Sequence, residues 1–198
     1  MIRLWHSPLS RSVRVLWLLE ELQLPYAIEA LPMISATLPF TQPTGTGKVP
    51  TIADGSLVMF ESVAIMEYLL ERYGDGRLAP DRGAPERGPF LQWLHYSEST
   101  AFPPLGYIAR HSFALPEAER IPASAAENRM LAAHVLALPE RVLTDSKYLL
   151  GAEFTAADIA FGYTVAVARA MGLLENLPRL AAYMERLTAR PGFQRAMS

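Results

Sequence analysis

Two short segments carry side chains that could hold a small peptide-like ligand. Lys48-Val49-Pro50 places a proline directly before strand-forming residues, and Glu61-Ser62 places a carboxylate and a hydroxyl where a helical pattern begins. A helix N-terminus favours negative charge, so Ser62 could receive a carboxylate while Glu61 receives an ammonium group. The pair therefore suits a ligand that carries both groups, and it would repel a phosphate.

Both segments also have a simpler interpretation. Serine is among the commonest helix N-caps, and a glutamate beside it can be an ordinary solvated residue. Most X-Pro bonds in folded proteins are trans, and only about 5–6% are cis. A trans Val49-Pro50 bond would open a strand, whereas a cis bond would expose the Val49 N–H and C=O to an extended peptide. Both isomers stay open at this point.

Ser7 and Ser10 lie between the first predicted strand and the first predicted helix. They could be a turn residue and a helix cap, or one of their hydroxyls could donate a hydrogen bond to a ligand's sulfur. A thiol with a pKa of about 9 becomes partly ionised at pH 7 when a donor and a helix N-terminus stabilise its thiolate. Each pKa unit corresponds to about 1.4 kcal/mol, and one hydrogen bond to a charged acceptor supplies about 1.5–3 kcal/mol. One serine and the helix dipole would therefore suffice.

Composition excludes several other kinds of site. The chain has no cysteine, so disulfides, thiolate metal sites and a cysteine nucleophile are excluded, and any thiol must arrive with the ligand. No metal site is expected, because none of the four histidines has metal-ligand spacing. A formal net charge of −2 gives no electrostatic reason to bind nucleic acid or an anionic membrane. The longest nearly uncharged apolar stretch, 159–168, is too short to span a bilayer. We expect a soluble, cytoplasmic protein.

Hydrophobic periodicity predicts the elements that must position these residues. It predicts a strand over 2–5, a helix over 10–22, a strand over 26–31, a hairpin over 51–60 that turns at Asp54-Gly55, and a helix over 62–73. The segment 32–50 holds four prolines and two glycines, which favours a long loop. This β-α-β-loop-β-β-α order predicts a small mixed sheet with helices packed on it.

The remainder of the chain has a different character. Glycines and prolines over 74–88 indicate a linker. Every later segment has a helical pattern, and we expect Pro103-Pro104 to interrupt the first helix, over 89–108. Capping-box spacings at Ser124–Glu127 and Thr155–Asp158 open two further helices, and Pro139 should kink or divide the earlier one. A last helix begins at Pro178.

Together these segments resemble the cytosolic glutathione transferase family, and among its members the bacterial, serine-type proteins of theta-, zeta- and beta-like kind. No single motif is specific, but their order and spacing are, and the match spans nearly the whole chain. The matching segments are Ser7-Pro8-Leu9-Ser10-Arg11 with Val13-Arg14, Gln42-Pro43 ahead of Gly47-Lys48-Val49-Pro50, Glu61-Ser62 ahead of Ile65 and Tyr68-Leu69, Thr155-Ala156-Ala157-Asp158-Ile159, and Arg190-Pro191-Gly192-Phe193.

The resemblance implies a fold and a homodimer. A thioredoxin-like α/β domain that binds glutathione would occupy 1–75, a linker 76–88, and an all-helical C-terminal domain 89–198. The Thr155–Asp158 box matches one that the family uses for folding rather than catalysis.

The resemblance also implies how glutathione would bind as a co-substrate. The Val49-Pro50 bond would be cis, with the cysteinyl backbone of glutathione on Val49. Its γ-glutamyl end would lie on Glu61 and Ser62, and its glycine carboxylate near Lys48.

Ser7 is our choice for the thiol activator, with Ser10 as the fallback or a helix cap. By register with Arg11 and Val13-Arg14, Ser7 falls at the activating serine of theta- and zeta-like members, while Ser10 falls nearer the cysteine of beta-like members. The second substrate would bind between the two domains. Its proposed walls are Leu9, Met33, Phe102, Tyr107 and Arg110.

The expected activity is that of a glutathione transferase with a detoxifying role. The thiolate would attack an electrophilic carbon of an apolar substrate, and it could also reduce organic peroxides. Two alternatives stay open: a glutathione-dependent isomerase like maleylacetoacetate isomerase, although the Ser-Ser-Cys run is absent, and a non-catalytic binding module of the same fold. The lack of a cysteine at the active turn speaks against glutaredoxin-like and dehydroascorbate-reducing members.

Overall fold

The structure is a computed structural model that describes residues 1–32 and 43–197. It divides into two compact units, one formed by Met1–Asp81 with Thr188–Ser198 and the other by Arg82–Leu187. In the described ranges, none of the helices combines the length and the apolar character needed to cross a bilayer.

The first unit is built on a four-stranded mixed sheet. Its strands are β1 (Ile2–His6), β2 (Tyr26–Ala30), β3 (Thr51–Asp54) and β4 (Leu57–Phe60), in the order β2-β1-β3-β4. β1 runs parallel to β2 and antiparallel to β3, with buried Leu4 opposite Ile52. β3 and β4 form the predicted hairpin, and its two loop residues are Gly55 and Ser56, one position later than the predicted Asp54-Gly55 turn. The predicted mixed sheet is confirmed.

Among its described residues, the first unit also has three helices: α1 (Ser12–Leu22), α2 (Ser62–Tyr73) and α8 (Pro191–Met197). α1 contacts β1, α2 and α8, and all of its residues except Glu20 and Glu21 are buried. Trp17 of α1 packs edge-on against Phe193 of α8, with ring centroids 5.0 Å apart. The sequence-based boundaries assigned 188–198 to the helical domain, whereas these contacts group α8 with the sheet.

The regular secondary structure of the second unit consists of helices. They are α3 (Arg87–Tyr96), α4 (Phe102–Ala109), α5 (Pro122–Val142), α6 (Ala156–Ala170) and most of α7 (Pro178–Thr188). Its core is apolar and aromatic, and its fully buried members include Phe90, Leu94, Leu136, Phe161 and Leu180. An α/β unit and an all-helical unit together confirm the predicted fold class.

The prolines at 103 and 104 do not interrupt the helical run, so that prediction was wrong. A π-helical turn over Ser97–Ala101 joins α3 to α4. Pro103 and Pro104 therefore lie in the first turn of α4, directly after the π-helical turn.

The predicted capping box at Ser124–Glu127 was also wrong. α5 begins two residues earlier, at Pro122, after Ile121 in an extended conformation. Proline is preorganised for the first helical position, so it starts the helix and leaves Ser124 inside it. Pro139 does not divide this helix, which continues to Val142.

The capping box at the start of α6 is confirmed. The Asp158 carboxylate accepts hydrogen bonds from the Thr155 N–H at 2.9 Å, the Leu149 N–H at 2.9 Å and the Tyr183 hydroxyl at 2.9 Å. Burial raises the pKa of Asp158, against the opposing effect of these donors. The box thus connects the N-terminus of α6 to α7 through a buried polar cluster.

Candidate functional site

The register of the sheet brings the three predicted segments to one edge. Thr51 at the start of β3 lies opposite Trp5 near the end of β1 and opposite Phe60 at the end of β4. Because β3 runs antiparallel to both neighbours, the residues after β1, before β3 and after β4 share the same end of the sheet. Ser7, Pro50 and Glu61 are those residues.

The turn after β1 holds both predicted catalytic serines. Ser7 is fully buried, and its hydroxyl donates to the Pro32 carbonyl at 2.6 Å. Ser10 is also buried, and its hydroxyl donates to the Ser7 carbonyl at 2.7 Å. Leu9 lies between them with a φ of 59° and a side chain that is 64% exposed. Both hydroxyls are therefore directed at backbone carbonyls.

Two further polar residues belong to this turn, and the sequence analysis missed them. Ser12, the first residue of α1, places its Oγ 2.6 Å from Ser10 Oγ and 2.8 Å from His6 Nδ1. Burial lowers the pKa of His6, which favours the neutral imidazole. The available signal was three polar residues at positions 6, 10 and 12, flanking a proline at the start of an apolar helix.

The Glu61-Ser62 pair lies next to the buried guanidinium group of Arg14. Ser62 is the first residue of α2 and is buried, and its Oγ accepts a hydrogen bond from Arg14 Nη1 at 3.2 Å. Arg14 is fully buried, which is costly for a charge unless nearby groups compensate it. In the sequence, Arg14 is only one of the residues that carry the family resemblance. In the structure it adds positive potential to the N-terminus of α2.

Glu61 has an uncommon backbone conformation. Its φ is 73° and its ψ is 108°, and its side chain is exposed. A non-glycine residue held in such a region costs of the order of 1–3 kcal/mol, and such residues cluster at ligand sites. The conformation leaves the Glu61 carboxylate in solvent directly before the helix terminus.

The segment before β3 is the third part of the edge. Lys48 is exposed, Val49 is half-buried, and the Val49–Pro50 peptide bond is cis. Pro50 is buried and leads into Thr51, which is fully buried. Among the described residues, Thr51 Oγ1 is the one buried side-chain oxygen or nitrogen that lacks a hydrogen-bond partner.

The residues predicted to line the second-substrate pocket are distributed over both units. Leu9 belongs to the first unit, whereas Phe102, Tyr107 and Arg110 belong to the second. Phe102 stacks on Tyr163 at a centroid distance of 5.7 Å, and Tyr107 and Arg110 are exposed. Met33 lies outside the described residues.

The chain matches known proteins along most of its length. Residues 4–80 match the family model for the glutathione S-transferase N-terminal domain, and residues 122–186 match the model for the C-terminal domain. Glutathione S-transferase F9 of Arabidopsis thaliana is 30% identical over 167 residues, which cover 79% of this chain and 75% of that protein.

Two further proteins illustrate the range of similarity. Glutathione S-transferase 3 of Schizosaccharomyces pombe is 34% identical over 105 residues, which cover 52% of this chain and 43% of that protein. The crystal structure of glutathione transferase URE2P8 from Phanerochaete chrysosporium with oxidized glutathione has a TM-score of 0.85 and 25% identity. The alignment covers 98% of this chain and 92% of that one. By the match to both family models, this chain belongs to the glutathione S-transferase family.

Proposed function

We propose that this protein is a glutathione transferase that binds glutathione along the sheet edge formed by Ser7, Val49 and Glu61-Ser62. The observation that carries the proposal is the convergence of these segments, with buried Arg14 beneath the N-terminus of α2. Relatives named as glutathione S-transferases and a structural neighbour with oxidized glutathione support the choice of ligand.

The γ-glutamyl end of glutathione has matching chemistry at Glu61 and Ser62. Ser62 Oγ accepts from Arg14, so its own hydrogen is free to be donated to the ligand's α-carboxylate. The dipole of α2 and the Arg14 charge both favour that carboxylate. The exposed Glu61 carboxylate can accept a hydrogen bond from the α-ammonium group.

The remaining parts of glutathione would lie along the segment before β3. The Val49 N–H and C=O would pair with the cysteinyl backbone, and Lys48 would attract the glycine carboxylate. This binding mode would bring the sulfur near the turn after β1, and the pairing of the end of β1 with the start of β3 supports it.

Ser7 would stabilise the thiolate there. Its hydroxyl hydrogen is directed at the Pro32 carbonyl, so activation requires that it exchange this neutral acceptor for the sulfur. The exchange is favourable because a hydrogen bond to an ionised acceptor is about twice as strong as one between neutral groups. The thiolate would then attack an electrophilic carbon, with catalysis arising from nucleophile activation and positioning.

The proposal extends to the second substrate and to assembly. An apolar electrophile would bind beside the glutathione sulfur. The protein would act as a cytoplasmic homodimer. These parts follow from family resemblance.

Calorimetry with glutathione and a conjugation assay with a reactive aryl halide test the proposal. We expect glutathione to bind, and Ser7→Ala to lower kcat/KM by about 10- to 100-fold, which corresponds to the loss of one hydrogen bond to a charged acceptor. Absence of binding would refute the proposal. Full activity in Ser7→Ala would refute the role of Ser7.

One observation favours a second candidate, a non-catalytic binding module of the same fold. Ser7 is fully buried and its hydrogen is already used, which is what a purely structural serine would show. Glutathione binding with no conjugation or peroxide reduction would support the module over the enzyme.

A further inference from the structure

We propose that His6 is a positioning residue: its Nδ1–H begins a one-directional hydrogen-bond chain through Ser12 and Ser10 to the Ser7 carbonyl. This chain leaves Ser7, and not Ser10, as the hydroxyl that can reach the thiol. The second part rests on the proposed function, whereas the chain itself does not.

Three short contacts define the chain. His6 Nδ1 lies 2.8 Å from Ser12 Oγ, Ser12 Oγ lies 2.6 Å from Ser10 Oγ, and Ser10 Oγ lies 2.7 Å from the Ser7 carbonyl oxygen. Ser10 and Ser12 are buried, so water does not replace a missing partner easily.

Counting hydrogens fixes the direction of the chain. Each of the three contacts needs one hydrogen, the two hydroxyls supply one each, and the carbonyl supplies none. The third hydrogen must therefore be on His6 Nδ1. If Nδ1 instead presented a lone pair, one contact shorter than 3 Å would bring two acceptors together. A longer contact from Ser12 Oγ to the Ser7 carbonyl, at 3.2 Å, does not change this count.

The charge state of His6 does not alter this conclusion. Burial lowers the pKa of His6, so the ring is neutral near pH 7. The neutral ring must then be the Nδ1–H tautomer. A protonated ring would also carry a hydrogen on Nδ1, so the chain keeps its direction in acid.

The chain holds the Ser7 peptide from both sides. The Ser7 N–H donates to Ser12 Oγ at 3.2 Å, and the Ser7 carbonyl accepts from Ser10. The hydrogens of Ser10 and Ser12 are thus both committed within the chain. The Ser7 hydroxyl is outside it, with the Pro32 carbonyl as its acceptor, and can change partner without breaking the chain.

Nitrogen NMR of the His6 ring tests the chain without any ligand. We expect a protonated Nδ1 and an unprotonated Nε2 at pH 7. The opposite tautomer would overturn the proposal, whether or not the protein binds glutathione.

Matched substitutions at position 6 provide a second test. His6→Asn can retain an N–H near the Nδ1 position, whereas His6→Asp places a carboxylate oxygen there and leaves one of the three contacts without a hydrogen. We expect His6→Asn to keep a kcat/KM for conjugation several-fold above that of His6→Asp. Equal loss in the two variants would contradict the assigned direction.

The pKa of the bound glutathione thiol, followed by thiolate absorbance, distinguishes the serines. We expect Ser7→Ala to raise it by about one to two units, since one hydrogen bond to the thiolate is lost, and Ser10→Ala to raise it less. A larger shift in Ser10→Ala would overturn the assignment to Ser7. Ser99→Ala is the control, because its hydroxyl also donates to a carbonyl, that of His95, in the other unit.

Ser12→Ala and Ser12→Thr test the middle of the chain. The alanine variant removes the bridging hydroxyl and should lower kcat/KM, while threonine retains a hydroxyl and should restore most of it. Equal activity of Ser12→Ala and the unmodified protein would show that the chain does not position the turn.

Discussion

Glu21 on α1 accepts hydrogen bonds from both Nε and Nη2 of Arg190, at 2.8 and 2.7 Å. The two side chains are 12% and 28% exposed, so solvent screens this pair less than a surface pair. Trp17 Nε1 donates to the same carboxylate at 3.0 Å. The pair fixes the chain where it returns to the first unit, directly before α8.

Arg190→Ala should therefore destabilise the protein by about 1.5–3 kcal/mol, the range for hydrogen bonds to charged groups. Urea unfolding measures the change. Arg3→Ala is the matched control, because the Arg3–Glu29 pair is 57% and 46% exposed. It should change stability by less than about 1 kcal/mol. Equal effects of the two substitutions would contradict the assigned importance of the Glu21 pair.

The same pair predicts a pH dependence. Burial alone raises the pKa of Glu21, but hydrogen bonds from Arg190 and Trp17 and the nearby positive charges lower it below its ordinary value. A carboxyl with a lowered folded-state pKa stabilises the fold above its unfolded pKa of about 4.3, and this stabilisation is lost as the pH falls through the folded-state pKa. The difference in unfolding free energy between the unmodified protein and Arg190→Ala should be constant from about pH 6 to 8 and shrink below about pH 4.3. A difference that grows in acid would refute this.

Thr51→Val should stabilise the protein by about 1 kcal/mol. The Thr51 hydroxyl is buried without a partner, and an unsatisfied buried group costs about 1–3 kcal/mol. Thermal and urea unfolding provide the measurement. Thr164→Val is the control, because the buried Thr164 hydroxyl donates to the Ser97 carbonyl at 3.1 Å, and its removal should destabilise. If Thr51→Val loses stability, the hydroxyl has a partner in solution.

A comparison of Glu61→Gly with Glu61→Ala should separate two effects of Glu61: that of its backbone conformation on stability, and that of its carboxylate on glutathione binding. Glycine adopts a φ of 73° without strain, whereas alanine does not, so the glycine variant should be the more stable of the two. Both variants lose the carboxylate, and both should weaken glutathione binding to a similar extent. Unfolding experiments and calorimetry together check this. Unchanged affinity in both variants would remove Glu61 from the proposed site.

The sequence predicted those parts of the fold that depend on local patterns. The β3–β4 hairpin and the Thr155–Asp158 box involve residues near each other in the chain, and both were confirmed, although the hairpin loop lies one residue later than predicted. The predictions at Pro103 and Ser124 were wrong. A π-helical turn joins α3 to α4 ahead of Pro103, and Pro122 starts α5 before Ser124 is reached.

The candidate site was likewise predictable only where it depends on residues near each other in the chain. The types of Ser62 and Glu61 and their place at a helix start could be predicted. The hydrogen bond to Ser62 from Arg14 could not, because it joins residues 48 positions apart and depends on how α1 and α2 pack. The network of His6, Ser10 and Ser12 depends on a turn whose geometry no pattern specifies. Catalytic roles and subclass stay predictions.

The position of α8 has a consequence for biosynthesis. A ribosome completes β1 to β4, α1 and α2 long before it reaches Pro191. Until then Trp17 lacks its contact with Phe193, and the Glu21 carboxylate lacks Arg190. Translation of the first unit therefore starts before the second unit and is completed after it, and the Trp17 ring stays without its Phe193 contact while residues 82–187 are made.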